Sequence, residues 1–164
     1  MGLAPWVKSA YAILEKDENL GYKILDHNRF KFRLETVHRQ GKHRTEVRPD
    51  IFSISQQLEG IIEKYRPGVI IKGISKYYKQ EYSVLRRTAL LAGFFEGYCR
   101  ALKTKVVFVL PTSLRYWTWD QFGVEPTSDA ARSIFKITSA KLTDEEAEAI
   151  FLAAVGGAHD HLWI

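Results

Sequence analysis

The sequence predicts a single α/β domain built on a mixed five-stranded sheet, three antiparallel strands followed by parallel ones, flanked by helices. Three observations predict it. Strand-like patterning fills the first third of the chain, the apolar period turns helical at Asp50, and from there helices alternate with short, wholly apolar strand segments. At 164 residues the chain suits one domain and is long enough to bury a core without disulfide or metal staples. No repeat, low-complexity tract or linker interrupts it.

In the first third, residues 7–15 are rich in apolar and small side chains and read as a strand. Lys16-Asp-Glu-Asn-Leu-Gly21 is a polar turn, and residues 22–25 return as the paired strand. Residues 29–37 alternate strictly, with Phe30, Phe32 and Leu34 on one face and Lys31, Arg33 and Glu35 on the other, which predicts a half-buried strand. Residues 38–48 form a basic loop holding His38, Arg39, Lys42, His43, Arg44 and Arg48.

From Asp50 the residues Ile51, Ile54, Leu58, Ile61, Ile62 and Tyr65 recur at helical spacing, with Pro67-Gly68 as the stop. Val69-Ile-Ile-Lys-Gly-Ile74 has the apolar run of a buried parallel strand, broken by one charge, Lys72. A long helix follows over residues 82–102, with Gly93 and Gly97 four apart on a face open to close packing. Residues 106–110 are a second apolar strand, closed by Pro111-Thr112. A helix over 128–135 and a last one over 143–155, ending at Gly156-Gly157, complete the pattern.

Apolar residues make up 46% of the chain and charged residues 26%, the balance of a globular protein. No apolar run approaches the roughly 20 residues of a membrane span, and the first residues lack the basic start and apolar stretch of a signal peptide, so a cytoplasmic protein is expected. The one cysteine, Cys99, excludes an internal disulfide, argues against a thiolate zinc site and reads as a buried small residue. A net charge of +5 and a pI near 9.3 favour polyanionic partners, because clustered Lys and Arg release counterions from phosphates.

Several local motifs stand in a telling order. Gly2-Leu-Ala-Pro5 is followed by Ser9-Ala-Tyr-Ala-Ile-Leu14, then Ile61-Ile-Glu-Lys-Tyr-Arg-Pro-Gly-Val-Ile-Ile-Lys72. Leu90-Leu-Ala-Gly-Phe-Phe-Glu-Gly97, Val109-Leu-Pro-Thr-Ser-Leu-Arg115 and Leu142-Thr-Asp-Glu-Glu-Ala-Glu-Ala149 complete the series. Together they resemble the RuvC-type Holliday-junction resolvases of the RNase H-like superfamily over nearly the whole chain. The resemblance implies an RNase H-like fold and, for the family, four carboxylates holding a pair of magnesium ions for phosphodiester cleavage.

Set against that pattern, Ala4 stands where the first aspartate belongs and Lys72 where the glutamate belongs, while Glu145 and Glu148 keep the two acidic positions on the last helix. Alanine offers no ligand, and an ammonium beside a magnesium pair adds like-charge repulsion. The resemblance thus implies a degenerate site with no resident metal, magnesium entering only if the site proves active. Lys72 is expected to pair with Glu148 or Glu145, its ammonium replacing the cation. Thr143 with Glu146 is also a capping box, which gives Asp144, Glu145 and Glu146 a purely helical reason to be acidic.

Lys76-Tyr77-Tyr78-Lys79 interleaves rings and charges as a nucleic-acid contact does, with a solvated loop as the alternative, and Arg86, Arg87 and Arg115 extend the same surface. Trp117 and Trp119 suit a partner or dimer surface before base stacking, and Gly93 and Gly97 join them, because the resemblance implies dimerisation near the second helix. His159-Asp-His161 is not expected to hold a metal. Three readings follow. The first is a protein without metal-dependent cleavage that binds branched or structured nucleic acid, branched DNA foremost, as a homodimer. The second is an interaction or scaffold protein that recruits a protein partner. The third is a divergent magnesium-dependent junction endonuclease.

Overall fold

The computed structural model describes residues 1–5, 8–17, 21–38, 45–73, 82–139 and 141–159. In chain order the elements are β1 (Gly2–Ala4), β2 (Ala10–Asp17), β3 (Gly21–Arg29), β4 (Leu34–His38), β5 (Thr45–Pro49), α1 (Ile51–Tyr65), β6 (Val69–Lys72), α2 (Tyr82–Ala101), β7 (Val106–Val109), α3 (Pro111–Phe122), α4 (Ser128–Phe135) and α5 (Asp144–Ala158). The main sheet has five strands in the order β3-β2-β1-β6-β7, and β4 and β5 form a separate pair. β2 is antiparallel to both β1 and β3, whereas β1, β6 and β7 run parallel. This is the mixed five-stranded α/β fold the sequence predicts.

Alternation along the strands sorts the core into two layers. Leu3, Ile13, Val69 and Ile71 face Ile54 and Leu58 of α1 and Leu91, Phe95 and Cys99 of α2. Ala4, Ala10, Ala12 and Ile70 face the other way, into a cluster with Leu114 and with Ala147, Ile150 and Phe151 of α5. Full burial of Phe95 and Phe151 contributes roughly 2–3 kcal/mol each. The small residues on the second face have a reason. A Cβ on Gly2 would lie 1.9 Å from the Ala149 carbonyl oxygen and 2.7 Å from the Ala153 nitrogen, so α5 rests backbone to backbone on β1. Cys99 is buried as expected, and burial pushes its thiol up to about 12.

Four expectations need correction. Residues 29–37 are not one strand: β3 extends through Arg29, the chain leaves the sheet over residues 30–33, and β4 pairs with β5. The alternation does bury Phe30, whose ring lies 5.3 Å from those of both Tyr11 and Phe95. The Lys31 backbone is satisfied instead by α1, since its N–H donates to Gln57 Oε1 at 2.9 Å and its carbonyl accepts from Gln57 Nε2 at 2.6 Å. The basic loop over 38–48 is narrower than expected, because His38 and residues 45–48 are strand; residues 39–44 lie outside the described residues.

Pro111-Thr112 does not simply close β7 but opens α3, proline taking a first-turn position where a missing N–H costs nothing. Nor do Gly156 and Gly157 stop α5, which runs to Ala158. A Cβ on Gly157 would sit 2.8 Å from the Tyr22 ring, so that glycine serves close approach rather than a cap. Among the described residues no helix is long and apolar enough to cross a membrane.

Candidate functional site

Strand direction gathers the functional side chains. Because β1, β6 and β7 are parallel and β3 runs the same way as β1, all four carboxyl ends lie at one edge of the sheet. In open α/β sheets that edge is where ligands bind. Lys72 is the last residue of β6 and shares the face of Ile70, toward α5. The β1–β6 register pairs Gly2 with Ile70 and Leu3 with Ile71, so its next step sets Ala4 beside Lys72.

α5 brings its first turns to the same point. Lys72 Nζ donates to Glu148 Oε1 at 2.5 Å, with the two side chains only 8% and 21% exposed. Burial pulls the Lys72 pKa below its ordinary value. The Glu148 charge and hydrogen bond oppose that pull, Arg115 reinforces it, and Glu145 adds a weaker opposing field. Ala4, Lys72, Glu145 and Glu148 are therefore brought together as the sequence predicts, and the Lys72–Glu148 pair is formed. Arg115, exposed on α3, is near enough for its charge to act on Lys72.

The remaining candidates divide. Lys76, Tyr77, Tyr78 and Lys79 lie outside the described residues, as do residues 160–164 with Asp160 and His161. Arg86 is exposed and Arg87 half-buried in the second turn of α2. The link from α2 to β7 is short, so the start of α2 stands at the carboxyl edge too. Gly93 and Gly97 are exposed, with open space where a Cβ would be. Trp117 and Trp119 part company: Trp117 packs inward, its ring 5.6 Å from Phe122 and 6.4 Å from His159, while Trp119 is 64% exposed.

Sequence reasoning missed two polar ties. The pairing of Ala12 with His27 turns that histidine toward α5, where Nδ1 lies 3.1 Å from Glu146 Oε1. Glu146 Oε2 accepts from the Thr143 hydroxyl at 2.8 Å and the Thr143 N–H at 3.1 Å, completing the predicted capping box. Burial works to raise the Glu146 pKa, but the bonds from Thr143 and His27 outweigh it and hold the carboxyl below its ordinary value. On the opposite face, the Tyr11 and Tyr65 phenols both donate to Asp26 Oδ2 at 3.3 Å. Burial, with Asp26 adding to it, pushes the Tyr11 phenol up to about 12. No local pattern announces the His27 tie or the Asp26 cluster, because each depends on strand pairing and helix docking.

The magnesium pair that the resemblance implied does not fit these residues. Ala4 supplies no oxygen, and the Lys72 ammonium is hydrogen-bonded to the carboxylate a cation would need. Among the described residues no group of three or more His, Cys, Asp or Glu is placed to hold a metal ion.

Comparison with solved structures finds Thermus thermophilus RuvC in complex with Holliday junction substrate, at a TM-score of 0.70 and 13% identity over 98% of this chain and 94% of that one. A second Thermus thermophilus RuvC structure matches at 0.65 and 14% identity over 99% and 95%. The yeast mitochondrial Holliday junction resolvase matches at 0.53 and 13% identity over 93% and 76%. No protein-family model and no curated protein matches. With its strand order, strand directions and closing helix, the chain has the RuvC-type variant of the RNase H-like fold.

Proposed function

We propose that this protein binds branched or otherwise structured nucleic acid, as a homodimer, without metal-dependent cleavage. The observation that carries the reading is the Lys72–Glu148 pair beside Ala4 at the carboxyl edge of a RuvC-type sheet. A buried ammonium supplies there the positive charge that balances Glu148, and it cannot polarise a water as a divalent ion does. The same edge carries exposed cations: Lys8 between β1 and β2, Arg29 at the end of β3, Arg86 on α2 and Arg115 on α3. Such a rim, on a chain of net charge +5, suits a phosphate backbone.

Support for the homodimer comes from α2. Arg86, Ala89, Leu90, Gly93, Gly97 and Arg100 recur three and four apart and are all exposed, a stripe of small and apolar residues with a cation at each end. The test is a gel shift with a labelled four-way junction at two salt concentrations, followed by incubation with Mg²⁺ or Mn²⁺. The expected result is binding that weakens steeply with salt and a junction that stays intact. Metal-dependent cutting overturns the non-cleaving half of the reading, and failure to bind at the lower salt overturns the nucleic-acid half.

A further inference from the structure

The helix that starts beside Lys72 has a chemistry the ion pair does not use. α3 turns Leu114, Trp117 and Thr118 inward, and Phe122 closes against the Trp117 ring. Its outer side shows Tyr116, 79% exposed, and Trp119, 64% exposed. One exposed ring is ordinary on a soluble protein. Two rings three residues apart share a helix face, and Arg115 lies directly before the first and four residues before the second. Ring, ring and guanidinium therefore form one continuous surface.

Its position says what the surface faces. α3 begins at Pro111, two residues after Val109, and Val109 pairs with Lys72 across β6 and β7. The Arg115 charge reaches Lys72. The helix that carries the rings accordingly starts at the edge that holds Lys8, Arg29 and Arg86, with Arg115 on the side of Lys72; the acid on this helix, Asp120, lies four residues after Tyr116 and directly after Trp119, so it bounds the same surface on its far side. Flat aromatic faces beside cations match a strand whose bases offer π-faces and whose backbone offers phosphates.

We infer that Tyr116 and Trp119 form a stacking platform for unpaired nucleobases, with Arg115 holding the adjoining phosphate. The inference rests on the nucleic-acid reading and assigns it a substrate feature: unpaired bases next to the branch, rather than duplex alone. Stacking has no sequence preference of its own, so the platform accepts any base and discriminates by whether a base is free to leave its helix.

The experiment measures fluorescence anisotropy of a labelled oligothymidylate and of a four-way junction with unpaired thymidines at its centre. It uses the full chain and Tyr116→Ala, Trp119→Ala and Trp119→Phe. Each site is exposed, so melting temperatures are expected to hold. Trp119→Ala is expected to weaken oligothymidylate binding about 5- to 150-fold, and Trp119→Phe to recover most of it. An abasic oligonucleotide is expected to bind the unaltered protein no more tightly than oligothymidylate binds Trp119→Ala, and to lose nothing further in Trp119→Ala, because it offers neither ring a base. Unchanged affinity in both alanine variants, while the unaltered protein binds the junction, overturns the platform and leaves the proposed function standing. Failure of the unaltered protein to bind either DNA overturns both. Loss of dimer in Trp119→Ala with DNA affinity unchanged gives the surface to a second copy of the chain and overturns the stacking role.

Discussion

Lys72 ends an apolar strand with an ammonium that burial disfavours and Glu148 restores. Its removal leaves a carboxylate facing a site only partly open to water. Lys72→Met is therefore expected to cost about 1–3 kcal/mol, less than for a fully buried pair because Glu148 keeps 21% of its side chain exposed. Combining it with Glu148→Leu should recover most of the loss, and a double-mutant cycle by urea unfolding measures the coupling. Equal, additive losses would show that the two charges do not depend on each other. Lys72 was legible in the sequence because a single charge in the run Val69 to Ile74 has to be accounted for, and because the resemblance aligned it with Ala4, Glu145 and Glu148. His27 was not. Its neighbours in sequence, Asp26 and Asn28, are polar, and only the pairing with Ala12 and the docking of α5 give it a partner.

At the scale of elements, α5 is held at its start by one carboxylate serving two purposes. Glu146 closes the capping box on Thr143 and ties the helix to His27 of β3. Its pKa is held below the ordinary 4.5, so the folded state binds fewer protons there than the unfolded chain. The stabilisation is fully present above about pH 4.5 and disappears as the pH falls through the lower folded value. Glu146→Gln is expected to lose about 1–2 kcal/mol at neutral pH, and the gap to the unaltered protein should close on acidification. Urea unfolding at stepped pH reads this directly, and a gap that stays constant to pH 3 would contradict it. Periodicity revealed α1, α2, α4 and α5 within a few residues, since each repeats its apolar face. It failed where one pattern has two uses. The alternation of residues 29–37 marks burial of Phe30 but not a ladder, and a proline after a strand can end it or begin a helix, as it does in α3.

For the molecule as a whole, the sheet is asymmetric. α1 and α2 cover one face and α5 spans the other, while α2 leaves its Ala89, Leu90, Gly93 and Gly97 stripe outward. If that stripe joins two copies, Leu90→Glu should shift sedimentation from dimer to monomer with the melting temperature of the monomer fold unchanged, because Leu90 is already 43% exposed within the chain. An unaltered sedimentation coefficient would remove α2 from the interface. The order of elements has a consequence for how such a chain is made. Gly2, Ala4, Ala10 and Ala12 come early, but the helix that covers them follows every strand of the sheet. Lys72 waits 76 residues for Glu148, and His27 waits 119 for Glu146. During synthesis one layer can assemble while the other face of the sheet stays wet, a slow and sticky interval for a nascent chain. Docking of α5 ends that interval, pairs Lys72 and completes the ligand face in a single late event, so an early-stopped chain would lack the site along with the helix.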